Sequence, residues 1–321
     1  MGITSSKNSE SKIPEYPHLT LSNFPKDDDG ETITLSDGRK MGYKEYHYQH
    51  VLQNPIPFNQ ELEIENSENS KEFIILLIPG SPSSRLFYFT DDIKSFCKQK
   101  NIKKCSLISY SAGGPYGLAA SYVLGKPPSP LNKKGKNKEN RESKGGDIEF
   151  DSIIKKSAII SSVAPRDGPN LTSAMPIKFK LAWWLAKNAH GVLSAIAKYE
   201  TNQFIRDPVK TGRESNWLPS DIETYENYPG VEEMFLTDGL EVYSRGQVET
   251  VCWEYSLWGK DWGFKLKDIV WYGEKDYTTT AAMGQYIAEQ IEGCESHFAK
   301  ERGHLLYFEI WDEVIEWLIS N

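Results

Sequence analysis

Four apolar runs recur along the chain, and helix-like or polar segments separate them. They are FIILLIPG, KCSLISY, SAIISSVAP and LKDIVWYGEKD. The apolar parts of the first three lack the polar alternation of a strand with one solvated face, so each predicts a strand buried on both sides, and LKDIVWYGEKD predicts a further strand. Helical patterns run from Thr90 to Lys100 and from about Ala112 to Val123. Buried strands that alternate with helices predict a mostly parallel α/β sheet.

The remaining segments predict how this sheet is elaborated. Residues 1 to about 25 are polar and predict a disordered tail, and ETITLSDGRKMGYKEYHY predicts a hairpin around a Ser-Asp-Gly turn. Pro, Lys, Asn and Gly dominate residues 126–150 without a periodic face, which predicts a solvated low-complexity insertion. Helical periodicity with several Tyr and Trp marks residues 166–262. We therefore expect one domain over 26–321, with a helical cap at about 166–262.

A serine follows the second apolar run, in the stretch SYSAGGPYG. Ser111 stands between the predicted strand and helix, where a sharp turn can present a nucleophile. Such a turn needs small neighbours, because the helix packs close to the strand. Ser109 and Gly113 occupy the positions two residues away, and Gly114 adds a second glycine. The alternative interpretation is a helix N-terminus with Ser111 as its N-cap.

An acidic residue and a histidine occupy corresponding places later in the chain. Asp276 ends DIVWYGEKD and His304 follows SHFAKERG. With Ser111 they fall at the carboxyl ends of strands, where sites form in open α/β sheets. A serine hydroxyl needs a base to take its proton, and that base needs a carboxylate to fix its tautomer. Glu254 or Asp261 is an alternative acid in a rearranged site.

The loop IPGSPSSR follows the first apolar run, so it also lies at a carboxyl end of the sheet. An oxyanion that forms at the nucleophile needs two backbone N–H donors, each worth about 3 kcal/mol. We expect one donor from Ala112, directly after the serine, and the other from Ser81 in this loop. An ordinary turn of Pro, Gly and Ser is the alternative for the loop.

Together these segments resemble the α/β-hydrolase superfamily over about residues 31–321. The chain is most similar to the branch of proline iminopeptidases and non-haem haloperoxidases, through PGSPSSR, SYSAGGPYG, SSVAP, DIVWYGEKD and RGHL. The resemblance implies a mostly parallel sheet with helices on both faces and a helical cap over the pocket. It also implies a nucleophile, an acid, a base and two oxyanion donors, which are Ser111, Asp276, His304, Ser81 and Ala112. A serine at the strand-to-helix turn argues against epoxide or haloalkane chemistry, for which this superfamily uses Asp at that position.

The chain departs from the family pattern at the oxyanion loop and in the sheet. Pro79 replaces the usual His and Ser83 replaces a Gly, which changes how that loop is braced. Only 27 residues separate Leu77 from Cys105, enough for one crossover of about 30 residues, whereas the family has two with a central strand between them. Such a strand contributes on the order of 10 kcal/mol of burial. This departure has three alternative explanations: the strands of the sheet pair differently, the sequence is incomplete, or the protein is marginally stable.

Composition restricts the classes of partner and compartment. The net charge of −8 argues against a nucleic-acid partner. No apolar stretch reaches the roughly 18–20 residues that a membrane-spanning helix needs. The four cysteines contain no CxxC pair and predict reduced, mostly buried thiols of a cytoplasmic protein. The sequence implies neither a metal nor an organic cofactor.

The N-terminus MGITSSKNS carries one targeting signal. Gly2 follows the initiator Met, and Ser6 stands where N-myristoylation prefers a hydroxyl. The alternative is a polar tail that happens to begin with Met-Gly. A single myristoyl chain binds membranes with a constant on the order of 10⁴ M⁻¹. We therefore expect a cytoplasmic protein whose membrane association through Gly2 is partial.

The leading functional hypothesis is a serine hydrolase that cleaves an ester or amide through an acyl-enzyme. Trp183, Trp184 and Trp258 in the predicted cap indicate an apolar acyl or aromatic substrate, although such aromatics more often belong to a core. A non-catalytic, membrane-tethered binding or scaffold protein is the rival hypothesis. Acyl transfer to an acceptor other than water is a third, since it uses the same nucleophile.

Overall fold

The computed structural model describes most of the chain, with gaps. The described residues are 31–43, 73–78, 89–125, 152–165, 168–216, 219–258, 269–291 and 294–320, apart from single positions 36, 229, 245 and 247. Gly2, the predicted tail at 1–25, the insertion at 126–150 and the oxyanion loop with Ser81 lie outside the described residues. The fold therefore does not test the predictions made for these residues.

Seven strands and ten helices form in the described residues. The strands are β1 Glu31–Thr34, β2 Lys40–Tyr43, β3 Ile75–Ile78, β4 Cys105–Tyr110, β5 Ile154–Ile160, β6 Ile269–Gly273 and β7 Ser296–Ala299. The helices are α1 Phe89–Gln99, α2 Gly114–Leu124, α3 Ile177–Asn188, α4 His190–Arg206, α5 Pro208–Asn216, α6 Pro219–Asn227, α7 Val231–Ser244, α8 Val248–Trp258, α9 Ala281–Gln290 and α10 Trp311–Ile319. No described helix is long and apolar enough to span a bilayer.

Five of the strands form one parallel sheet in the order β3-β4-β5-β6-β7. Every residue of β4 is buried, as its unbroken apolar pattern predicts. Successive residues of a strand point to opposite faces, so Leu107 packs with α1 and α2 while Ile108 packs with α10. The described helices therefore cover both faces of a parallel sheet, which confirms the predicted fold class.

Strand β5 differs from its prediction at both ends. It begins at Ile154, three residues before the apolar run SAIISSVAP, and it ends at Ile160. Lys156 can lie in this buried strand because its ammonium group donates to the backbone oxygen of Trp317, 2.8 Å away, at the end of α10. Ser161 has a φ of 45°, in the left-handed region, and this turn ends the strand.

The sheet has an open edge at β3 among the described residues. One helix, α1, connects β3 to β4, and the two strands pair directly. No described strand pairs with the other side of β3, and Leu77 is 54% exposed. This agrees with the single crossover that the spacing predicts. The hairpin β1–β2 forms a separate two-stranded sheet, so it does not replace the expected central strand.

Six helices, α3 to α8, lie between β5 and β6 in the described residues. Helix α3 packs against α4 and α8, and α6 packs against the turn that holds residues 304–308. The latter contact brings this helical block to the carboxyl end of the sheet. It is therefore positioned to shape a site at that end.

Candidate active site

Ser111 lies on a strained turn between β4 and α2. Its φ is 52°, which is uncommon for a residue with a side chain. A 3-10 turn from Ser111 to Gly113 then leads into α2. Neither this turn nor α2 has a side-chain hydrogen bond at its N-cap. The N-cap interpretation of Ser111 is therefore wrong, and the turn has the strand-to-helix geometry that the motif predicts.

Close packing of α2 on the strands explains the small residues around this turn. A Cβ at Gly114 would overlap the hydroxyl of Ser162, and a Cβ at Gly117 would overlap that of Ser109. Ser109 is fully buried. The expectation that Ser109 and Gly114 permit close packing agrees with this geometry. Sequence reasoning missed Gly117, which provides the space for the Ser109 side chain.

His304 lies within hydrogen-bonding distance of Ser111. Its Nε2 is 2.9 Å from the Ser111 Oγ, across 193 residues of sequence. His304 begins the 3-10 turn of residues 304–308, after β7. The Tyr110 hydroxyl donates to the backbone oxygen of His304 at 2.9 Å. The residue before the serine thus holds the turn that carries the histidine.

Asp276 contacts the other ring nitrogen of His304, Nδ1. Its Oδ2 is 2.7 Å from Nδ1 of His304. The backbone N–H and hydroxyl groups of Thr278 and Thr279 also donate to the carboxylate, at 2.7–2.9 Å. Asp276 is 1% exposed, so these donors compensate for the water that it lost. Burial alone would raise the pKa of Asp276, but the imidazole and the threonine donors outweigh it and lower that pKa.

Of the two alternative acids, Glu254 does not occupy this position. Glu254 is buried on α8, whereas the contacts of His304 Nδ1 are with Asp276 and Thr279. Asp261 lies outside the described residues. His297 is partly exposed and its Nε2 lies 2.9 Å from the Glu295 carboxylate. Among the described residues, the structure therefore brings together the serine, histidine and aspartate that the sequence singled out.

The electrostatics of the site favour a protonated imidazole once a proton arrives. Burial lowers the pKa of His304, but the charge and hydrogen bond of Asp276 and the charge of Asp221 together raise it above its ordinary 6.5. The side chain keeps 18% of its surface exposed. This environment can hold an imidazolium next to an attacking oxygen.

Asp221 is a buried carboxylate near the site that sequence reasoning missed. It lies on α6, and its Oδ1 accepts the backbone N–H of Leu305 at 3.0 Å. Thr224 on the same helix donates to Glu309 at 3.1 Å. Burial is the largest cause of the raised pKa of Asp221. No local motif marks this residue, because its partner is 84 positions away in the sequence.

The described part of the predicted oxyanion site is Ala112. It is buried and follows Ser111 in the 3-10 turn. The first N–H groups of a helical segment lack acceptors within it, so this end of α2 can supply a donor. Ser81, Pro79 and Ser83 lie outside the described residues. Within the described residues, no cluster of three or more His, Cys, Asp or Glu could hold a metal ion.

The three tryptophans that suggested an apolar pocket have different environments. Trp183 is buried in a cluster that includes Ala112 and Met283. Trp258 is buried in the same cluster, and its indole N–H donates to the Tyr116 hydroxyl at 3.3 Å. Trp184 is instead 56% exposed. Trp183 and Trp258 therefore belong to a buried core that also contains Ala112, while Trp184 lies on the solvent side of α3.

Comparisons with known proteins agree on the fold. No family model and no curated protein matches the chain. The chain is similar to the structure of novel epoxide hydrolases of the α/β-hydrolase superfamily from metagenomes of hot environments, with 10% identity, a TM-score of 0.53, and coverage of 91% of this chain and 99% of that one. It is also similar to a hydrolase from Pseudomonas aeruginosa PA01, at 11% identity, a TM-score of 0.49 and the same coverage. At such identities the likeness is one of fold.

Proposed function

On the α/β-hydrolase fold that this chain has, we propose that it is a serine hydrolase acting on an ester or amide. One observation carries the proposal, the hydrogen-bonded series from Ser111 through His304 to Asp276. The strained φ of Ser111 supports it further, because strain of this kind collects at functional sites. The proposed roles are nucleophile for Ser111, general base for His304 and orienting acid for Asp276.

The proposed reaction forms and then hydrolyses an acyl-enzyme. The Ser111 Oγ attacks the substrate carbonyl while Nε2 of His304 takes its proton, and Asp276 stabilises the resulting imidazolium. The tetrahedral intermediate collapses, the bond to the leaving group breaks, and His304 returns the proton to that group. Water then attacks the acyl carbon with His304 again as base, which releases the acid and restores the serine.

The oxyanion donors are proposed as the backbone N–H groups of Ala112 and Ser81. A donor of this kind contributes about 3–4 kcal/mol to transition-state stabilisation. Support for Ala112 comes from its place directly after the nucleophile at the start of a helical segment. Support for Ser81 comes only from the resemblance of its loop sequence to the α/β-hydrolase superfamily.

The substrate class proposed is an apolar acyl or aromatic ester or amide. Leu171, Met175 and Trp183 belong to the same buried cluster as Ala112, so the residue after the nucleophile is part of an apolar core to which α3 contributes. An apolar pocket lining favours an apolar group and fixes it through few polar contacts. The serine favours acyl chemistry over epoxide opening, for which the superfamily uses Asp.

A fluorophosphonate probe tests the proposed function. We expect it to label the folded wild-type chain covalently, and we expect Ser111→Ala to lose the label. Ser173→Ala is the matched control, since Ser173 is an exposed serine before α3, and it should retain labelling. Circular dichroism would establish that all three chains are folded.

Folded wild-type protein that takes no label would instead favour the rival, a non-catalytic binding or scaffold protein. The open edge of β3 and the altered residues Pro79 and Ser83 are the features that would accompany it. Labelled protein that transfers acyl groups to an added alcohol faster than to water would indicate an acyltransferase with the same nucleophile.

A further inference from the structure

Helices α3 and α4 carry large apolar side chains on their solvent side. We name six of these residues the outer cap face, and they are Ile177, Leu181, Trp184, Val192, Ile196 and Tyr199. Their exposed fractions run from 41% for Ile196 to 81% for Ile177. Single exposed apolar residues are ordinary, whereas a contiguous exposed apolar patch marks an interaction surface. Helices α3 and α4 pack against each other, so the two sets of residues lie on neighbouring helices.

The spacing of these residues places them along one line on each helix. Both sets follow the pattern i, i+4, i+7, which lies on one helical face. The opposite face of α3 is also apolar and is buried through Trp183 and Ala186, and the buried Leu185 lies between the two faces. A helix on a monomeric protein normally exposes polar residues on its outer side. Here α3 is apolar on both sides, so its core packing does not account for the outer set.

The charge of α3 indicates which partner this face suits. The helix contains Lys178, Lys180 and Lys187 and no acidic residue, although the whole chain has a net charge of −8. Lysines next to an exposed stripe of Trp, Leu and Ile are typical of helices that lie at a lipid–water interface. The apolar residues enter the acyl region, and the long lysine stems let the ammonium groups reach anionic headgroups.

A second copy of the chain is a poorer partner. A symmetric dimer through the same patch would place the lysines of one α3 near those of the other α3, and like charges repel. An anionic lipid surface meets the same lysines with opposite charge. Lys198 of α4 forms an ion pair with Glu249 at 2.6 Å, and Glu200 of α4 interacts electrostatically with Lys178. The positive charge proposed to face the lipid is therefore that of Lys180, whose ammonium group also donates to the backbone oxygen of Ser173 at 2.9 Å, and of Lys187.

We propose that the outer cap face docks on an anionic lipid bilayer. The inner side of α3 belongs through Trp183 to the same cluster as Ala112, so one helix connects the docked surface with the core beside Ser111. The inference does not depend on the proposed hydrolase activity, because binding needs no nucleophile. The predicted myristoyl group on Gly2 would be a second anchor, and two weak anchors together hold a protein more firmly than one.

Vesicle flotation with the full, unacylated chain tests the proposal. The probes are phosphatidylcholine vesicles with and without phosphatidylserine. We expect the wild type to float with the anionic vesicles, and we expect Leu181→Ser combined with Trp184→Ser to reduce its partition coefficient about tenfold or more. Lys187→Glu should weaken the preference for phosphatidylserine.

Two controls separate this surface from general effects. Val123→Ser combined with Met234→Ser removes exposed apolar side chains outside the outer cap face, and it should float like the wild type. Ser111→Ala should also float like the wild type, which keeps this test independent of the catalytic proposal. All substitutions except Ser111→Ala affect exposed side chains, so folding should change little.

Three results would overturn the proposal. The wild type could stay out of both vesicle types, the Leu181 and Trp184 variant could float as well as the wild type, or both vesicle types could bind equally. Gel filtration that finds a wild-type dimer dissolved by the same two substitutions would assign the face to a second copy of the chain instead.

Discussion

Strands β4 and β3 have similar apolar sequences and very different environments. All six residues of β4 are buried, and the strand pairs with β3 on one side and β5 on the other. Among the described residues β3 pairs only with β4, and its Leu77 is 54% exposed. An apolar run therefore predicts a strand, while its burial depends on what packs on both sides of it.

The hairpin β1–β2 is attached near the β3 edge through α1. The Arg39 guanidinium pairs with the buried Asp92 of α1 at 2.6 Å. Gln99 donates to the backbone oxygen of Thr34 at 2.9 Å. These contacts join two elements without adding a strand to the parallel sheet. The hairpin covers part of α1 but leaves the described edge of β3 without a strand partner.

This difference shows why the candidate site can form without the expected central strand. Ser111 follows β4, Asp276 follows β6, and His304 follows β7. All three strands lie on the side of β3 away from the edge that has no partner among the described strands. The shortened crossover therefore affects the edge of the sheet, and the proposed catalytic residues come from its interior and its far end.

Asp276→Asn is expected to cause the largest loss of activity. An amide can hydrogen-bond the imidazole in the wrong tautomer and cannot balance its charge, so we expect ester hydrolysis to fall by a factor on the order of 10⁴. A p-nitrophenyl ester assay measures this. Glu254→Gln, which alters the alternative acid, should retain most of the activity. The reverse pattern would assign the acid to Glu254 and break the proposed series.

The comparison of strands predicts unequal effects of the same truncation. Leu107→Ala in β4 removes a fully buried side chain and should lower the free energy of unfolding by about 2–5 kcal/mol. Leu77→Ala in β3 should lower it by less than about 1 kcal/mol and leave activity unchanged. Urea denaturation gives both values. Equal losses would mean that β3 is covered as well as β4 in solution.

Two glycine substitutions test how closely α2 packs on the sheet after Ser111. Gly114→Ala places a Cβ against Ser162 and should destabilise the fold by about 1–3 kcal/mol. Gly191→Ala on α4 meets no atom within 4 Å and should stabilise it by about 0.5–1 kcal/mol. Thermal unfolding compares them directly. If both raise the midpoint, α2 is not packed tightly on the sheet.

The smallest effect concerns the pH dependence of the proposed base. The neutral imidazole accepts the serine proton, so activity should fall as the pH drops through the pKa of His304, which lies above 6.5. Asp221→Asn removes a negative charge that raises this pKa, so the acidic limb of the pH–activity profile should move to lower pH. Glu223→Gln on the same helix alters a side chain paired with Arg302 at 3.5 Å and should leave the limb in place. A limb that moves equally in both variants would contradict a specific role for Asp221.

Local sequence patterns predicted much of the fold and the principal site residues. The apolar runs predicted parallel strands, and the pattern from Thr90 to Lys100 predicted α1, found at Phe89–Gln99. Ser111, Asp276 and His304 were singled out because each stands in the segment after a predicted strand, at the carboxyl edge of the sheet, and because the family resemblance implies their roles. Such predictions succeed because side-chain periodicity and strand ends are properties of neighbouring residues.

Contacts between distant segments were decided by the tertiary structure. The bond from Leu305 to Asp221, the tether from Tyr110 to His304 and the different environments of Trp183 and Trp184 each depend on how the helical block packs on the sheet. Neighbouring residues on a helix such as α3 look alike in sequence, because both of its sides are apolar. Only the positions of the other helices determine which side is buried and which faces solvent.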